Sequence, residues 1–253
     1  PRTMSVSEFD LVLSRLKGYV QYVYLHVMGE PLLHPELPAL FALAAARDMK
    51  VCITTNGTLL QKRADELLAA ESLHKISVSL HSFEGNDGAD EQELAYLTQV
   101  WDFAVKAAEK GVIVALRLWN DGGADARNGE ILDFLHARTE ESWPEMRNGS
   151  FRLRERLYLE RAGKFDWPDL SANESGAQFC YGLRDQLGVL CDGTLVPCCL
   201  DHEGDIPLGD LFTQPLDEIL NSPRAIALRE GFSQRKPSEA LCRRCGFAAR
   251  FNK

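Results

Sequence analysis

The sequence predicts an α/β fold: a parallel sheet with crossover helices, followed by a small domain organised by cysteines. Three observations carry this. Strand-like apolar runs and helical stripes alternate through the first 160 residues. Cys180, Cys198, Cys242 and Cys245 fall late in the chain in the patterns C-x12-G-x4-C and C-x2-C. Apolar residues make up 45% of 253, enough for a sizeable core in one compact domain with or without a small appendage.

The elements follow in order. Ser5 and Glu8 form a capping box ahead of Phe9, Val12, Leu13 and Leu16, a helical stripe that Gly18 ends. Tyr22 to Met28 is aromatic and β-branched, as a strand is. Leu37, Leu40, Phe41 and Ala44 mark a helix, Val51 to Thr55 a strand, and Leu60, Ala64, Leu67 and Leu68 the next helix. Ile76 to Leu80 reads as strand. Leu94, Leu97, Trp101, Ala104, Val105 and Ala108 line a long amphipathic helix that ends at Gly111. Val112 to Leu118 is strand, Ile131, Phe134 and Leu135 mark a helix, and Phe151, Leu153, Leu157 and Leu159 alternate with charged residues as one half-exposed strand. Repeated β–α units imply a parallel sheet with right-handed crossovers, which closes as a barrel or curls as a partial one. The first helix has no strand before it, so a further strand is expected upstream of Pro1.

In either form, ligands bind at the carboxyl ends of the strands. Those ends carry Met28-Gly29-Glu30-Pro31, Thr54-Thr55-Asn56-Gly57, Ser79-Leu80-His81-Ser82 and Arg117-Leu118-Trp119-Asn120. Each alone is an ordinary turn sequence; together, on one rim, they predict a pocket. In the late segment, four thiolates suit a soft metal centre, either a 4Fe-4S cluster or a structural zinc.

Composition limits the partners. The net charge is −9, from 37 acidic and 28 basic residues, which argues against nucleic acid. No apolar run approaches a membrane span and no export leader stands at the start, so a cytoplasmic protein is expected. Seven cysteines without such a leader read as metal ligands and free thiols.

Gly29-Glu30-Pro31 after a strand resembles the Gly-Glu-Pro motif of radical S-adenosylmethionine (SAM) enzymes, and Thr55-Asn56-Gly57 resembles the segment after their next strand. Residues 180–245 resemble the auxiliary-cluster domain called SPASM in its short, twitch form, because no cysteine follows Cys245. Val196-Pro197-Cys198-Cys199, Leu208-Gly209-Asp210-Leu211 and Leu216-Asp217-Glu218-Ile219-Leu220 resemble it too. The family's C-x3-C-x2-C loop, which holds the SAM-cleaving cluster, is not in this chain, and Met28 replaces the first of two glycines common before Glu-Pro.

The resemblance implies a partial (β/α)6 TIM-type barrel over residues 1–168 and a twitch domain over 177–253. It implies that SAM and an auxiliary 4Fe-4S cluster are cofactors, with a second 4Fe-4S cluster on an upstream segment. Gly29 and Glu30 would hold the SAM amino group, Ser79 the ribose hydroxyls, Arg117 the SAM carboxylate through its guanidinium fork, and Asn56 the ribose or pocket. Arg117 as an ion pair and His81 as either a structural or an acid–base histidine stay open. Cys180, Cys198, Cys242 and Cys245 would ligate the auxiliary cluster. Asp192-Gly193 is a hairpin signal that fixes Cys198 relative to Cys180; the adjacent Cys199 faces the other way. Cys52 and Cys191 read as small buried hydrophobes. The implied chemistry is removal of a substrate hydrogen by a 5′-deoxyadenosyl radical, with the auxiliary cluster taking the substrate's electron. The implied partners are a small-molecule or peptide substrate and an electron donor such as flavodoxin or ferredoxin. A peptide maturase and a non-catalytic metal-binding barrel are the alternatives.

Overall fold

The computed structural model describes residues 2–85, 90–139 and 142–252. Helix α1 (Val6–Leu16) starts at the expected capping box. The Ser5 hydroxyl accepts from the Glu8 N–H at 3.3 Å, and the Glu8 carboxylate accepts from the Ser5 N–H at 2.8 Å. Phe9, Val12, Leu13 and Leu16 form its buried stripe.

Strand β1 (Tyr22–Tyr24), α2 (Leu37–Ala45), β2 (Lys50–Thr55), α3 (Leu60–Ala69), β3 (Leu73–Ser79), α4 (Asp90–Glu109), β4 (Ile113–Asp121) and α5 (Asn128–His136) follow in alternation. A hairpin of β5 (Phe151–Arg154) and β6 (Leu157–Gly163) completes the sheet. The strand order is β1-β2-β3-β4-β6-β5, parallel from β1 to β6 with β5 antiparallel at the edge. The sheet is open, the partial-barrel form of the two that alternation allows.

The sequence reading errs at its last strand. Phe151 to Leu159 is two strands, and Arg156 turns the chain between them at φ +58. The period-two pattern continues in phase across the turn, and Glu155-Arg156 carries no glycine or proline to mark it. β1 is also shorter than expected: Met28 lies outside it and is 61% exposed. Leu80 opens a 3-10 turn (Leu80–Gly85) instead of ending β3.

Register sorts the sheet's two faces. One carries buried rows, apolar except for Thr55: Ile53-Ile76-Val114-Leu157 and Thr55-Val78-Leu116-Leu159. The other carries Tyr24-Cys52-Lys75, Thr54-Ser77-Ala115-Tyr158 and Ser79-Arg117-Glu160. Alternation puts neighbouring residues on opposite faces, so one strand set serves both core and polar lining.

The cysteine-bearing segment holds a small antiparallel sheet of β7 (Gly188–Val189), β8 (Thr194–Val196) and β9 (Gly209–Asp210). Short helices α6 (Leu216–Leu220), α7 (Pro223–Ser233), α8 (Ala240–Arg243) and α9 (Gly246–Ala249) follow. Gly193 makes the β7–β8 turn at φ +92, and a β-carbon there would lie 2.6 Å from the Phe212 ring. Both facts demand glycine at the centre of C-x12-G-x4-C. By packing, Pro1–Tyr19, Val27–Gly29 and Phe165–Lys253 form one compact unit, and Val20–His26 with Glu30–Lys164 form the other.

Among the described residues, no helix is long and apolar enough to cross a membrane.

Candidate functional site

Parallel strands bring their carboxyl ends to one rim: of the expected residues, Glu30 and Asn56 lie in the loops after β1 and β2, Ser79 ends β3, and Arg117 lies within β4 in register with Ser79. Glu30 already has backbone partners. Its Oε1 accepts from the Leu32 N–H at 3.1 Å, capping the 3-10 turn Pro31–Leu33, and its Oε2 accepts from the Asn56 N–H at 2.8 Å. The carboxylate therefore ties the loop after β1 to the loop after β2. Each oxygen keeps acceptor capacity for a ligand. Gly29 has open space where a side chain would stand.

Asn56 turns its side-chain oxygen toward Thr58, accepting from the Thr58 N–H at 3.0 Å and from its hydroxyl at 2.7 Å. Its carboxamide N–H2 and the Ser79 hydroxyl are not used in hydrogen bonds among the described residues. These are donors that a ribose could take.

Arg117 is partly committed. Its Nε donates to Glu160 Oε2 at 2.9 Å and Nη1 to Thr54 Oγ1 at 3.3 Å, and its guanidinium lies 4.4 Å from the centre of the Trp119 ring. Glu160 also accepts from Lys75 Nζ at 2.8 Å. Burial raises the Glu160 pKa, but the Lys75 hydrogen bond and the Arg117 charge outweigh it and hold the group below the usual carboxylate range. The trio keeps one net positive charge and spare donors on both cations, the property a carboxylate ligand needs.

His26, beyond β1 on the chain, has a buried Nδ1 without a hydrogen-bond partner among the described residues. Burial, and then the Arg117 charge, hold its pKa down to about 4. His81 accepts at Nδ1 from the Trp119 N–H at 3.4 Å, the structural option for that residue. Lys75, Glu160 and His26 were not singled out from the sequence, and Thr54 was named only as part of the segment Thr54-Thr55-Asn56-Gly57. Only Glu160, at an alternate position of the final strand, carried any signal there.

The second site lies in the cysteine-bearing unit. Cys180, Cys198, Cys242 and Cys245 all line one cavity, whose walls include Pro168, Leu200, Ile206, Phe232, Leu241 and Phe247. Cys199 is not among its lining residues. Burial pushes all four thiols up in pKa; Cys198, with Cys199 and Cys180 beside it, reaches about 12. Cluster assembly must therefore displace protons. Among the described residues, no three His, Cys, Asp or Glu side chains converge closely enough to share one metal ion. The four thiols line one common cavity. Four thiolates are the ligand set of a 4Fe-4S cluster, in which each takes a different iron, and equally of a structural zinc. Cys52 is buried on the polar sheet face, and Cys191 and Cys199 are part-buried free thiols.

Comparison with known proteins assigns both parts of the chain to families. Residues 1–114 match the radical SAM superfamily, and residues 180–246 match the SPASM family, an iron-sulfur cluster-binding domain. Among curated relatives, Fe-coproporphyrin III synthase of Methanosarcina barkeri is 30% identical over 121 residues, 45% of this chain and 29% of that protein. The chain spans less than a third of the length of the curated relatives it matches. Among solved structures, BtrN in complex with AdoMet and 2-DOIA aligns at a TM-score of 0.58 with 17% identity, covering 96% of this chain and 80% of that one. The structure of anSMEcpe with bound AdoMet and Cp18Cys peptide aligns at 0.54 with 14% identity, covering 97% and 81%. These likenesses show a shared fold. Residues 1–114 carry a radical SAM domain and residues 180–246 a SPASM iron-sulfur domain, and these domains imply SAM and 4Fe-4S clusters as cofactors.

Proposed function

We propose that this protein is a radical SAM oxidoreductase acting on a small molecule or a peptide. When bound, SAM, its reducing cluster and the auxiliary cluster supply the chemistry: a 5′-deoxyadenosyl radical that takes a substrate hydrogen, and an acceptor for the electron released. The chain's own residues bind and orient. Gly29 and Glu30 offer carbonyl and carboxylate acceptors to the SAM amino group, Asn56 and Ser79 offer donors to its ribose, and Arg117 offers its guanidinium to the carboxylate. Trp119 and the Lys75–Glu160 pair keep that guanidinium in place. A flavodoxin or ferredoxin supplies the reducing electron.

The carrying observation is the single cavity lined by Cys180, Cys198, Cys242 and Cys245. A cluster held by four protein thiolates has no open iron for substrate, so electron transfer is its role here. The test is metal analysis of the anaerobically reconstituted chain from Pro1 to Lys253, which lacks the C-x3-C-x2-C loop. The expected result is about four irons and four sulfides per chain with visible charge-transfer absorption. About one zinc per chain without that absorption favours a structural metal knot instead.

A further inference from the structure

The loop after β2 is gripped from two sides. The Asn56 N–H donates to Glu30 Oε2 at 2.8 Å, and the Asn56 carbonyl accepts from the Tyr96 hydroxyl at 2.7 Å. Glu30 comes from the loop after β1, and Tyr96 from helix α4, which crosses from β3 to β4. Tyr96 is only 7% exposed, so its hydroxyl has little access to water as an alternative acceptor. Burial, and then the nearby Glu30 carboxylate, push its pKa up, so it remains a donor. The fit is close: a β-carbon on Gly57 would lie 2.8 Å from the Tyr96 oxygen, and Gly57 takes φ +82. Only glycine lets the phenol approach the turn.

We propose that Tyr96 is a positioning residue for the adenosyl cofactor. With its peptide N–H and C=O both pinned, Asn56 has a fixed backbone. Its side-chain oxygen is occupied by Thr58. The remaining carboxamide N–H2 is thereby aimed, before any ligand arrives, from the rim where SAM binds in the cofactor reading on which this inference rests. Preorganised donors cost less to order on binding than mobile ones. No hydroxyl is needed at Tyr96 for core packing, where phenylalanine has the same shape.

The test is a double-mutant cycle on SAM affinity, measured by calorimetry on the full-length, cluster-loaded protein. Tyr96→Phe is expected to weaken SAM binding by up to about tenfold, the worth of one hydrogen bond. Asn56→Ala is expected to lose a similar factor. The double variant should bind no worse than Asn56→Ala alone, because Tyr96 acts through Asn56. A purely structural role would instead give additive losses, and unchanged affinity in Tyr96→Phe would also overturn the proposal. Amide exchange of the Asn56 N–H gives a cofactor-free readout. It should be protected in the wild type and at least several-fold faster in Tyr96→Phe; equal protection overturns the clamp. Wild-type protein that does not bind SAM at all would defeat the cofactor reading and, with it, the role of the clamp in binding.

Discussion

Arg117 and Glu160 stand opposite each other in register on β4 and β6, and Nε meets Oε2 at 2.9 Å. The side chains are 17% and 19% exposed, so the pair is sheltered from full solvent screening. In the proposed cofactor reading a ligand carboxylate would compete with Glu160 for this guanidinium, while Lys75 keeps its own bond to Glu160. Arg117→Ala should weaken SAM binding by roughly 1.5–3 kcal/mol, the range for hydrogen bonds to charged groups. Lys75→Gln removes the other cation and should leave SAM affinity close to wild type. Calorimetry on both variants separates direct contact from general charge.

The four cavity cysteines should behave as one set. Replacing Cys180, Cys198, Cys242 or Cys245 with alanine should abolish the auxiliary cluster and destabilise its unit, because metal binding is coupled to folding in small domains. Replacing Cys52, Cys191 or Cys199 should leave iron content intact. Iron and sulfide analysis with thermal unfolding checks this. Loss of the cluster in Cys199→Ala with its retention in Cys198→Ala would reverse the ligand choice.

His26 should make stability depend on pH. Its folded pKa of about 4 lies below the ordinary histidine value of 6.5, because the ring is buried and the Arg117 charge is near. Above pH 6.5 both folded and unfolded states carry neutral imidazole, and the folded state keeps its full advantage. As pH falls from there toward 4, the unfolded state takes up the proton first, and stability is lost. The loss approaches roughly 3 kcal/mol, from 1.36 kcal/mol per pKa unit. Denaturant unfolding at pH 7 and pH 4.5 should show this fall in the wild type and a smaller one in His26→Phe. An equal fall in both would refute the assignment.

Features set by near neighbours were legible in the sequence. The Ser5–Glu8 capping box, the Gly193 turn, and the alternation that makes the sheet parallel each depend on a few residues in a row. The cysteine set was legible because its spacing is itself the signal. The candidate rim was legible because parallel strands put Glu30, Asn56 and Ser79 at the same end, with Arg117 on β4 in register with Ser79. What was hidden came from long-range packing. Lys75 and Glu160 are 85 residues apart, and Tyr96 reaches a carbonyl 40 residues away. In the sequence Tyr96 was one more aromatic residue on a helix, with nothing to mark its hydroxyl. The β5–β6 turn was hidden for the opposite reason: alternation ran through it unbroken.

The central claim is reductive cleavage of SAM, and one assay tests it most directly. Full-length protein carrying its upstream segment, loaded with clusters and given SAM and a strong reductant under anaerobic conditions, should release 5′-deoxyadenosine. The chain from Pro1 should release none, because no C-x3-C-x2-C triad is among its residues. SAM left intact by the full-length, cluster-loaded protein, or a full-length gene product without an upstream cysteine triad, would contradict the account.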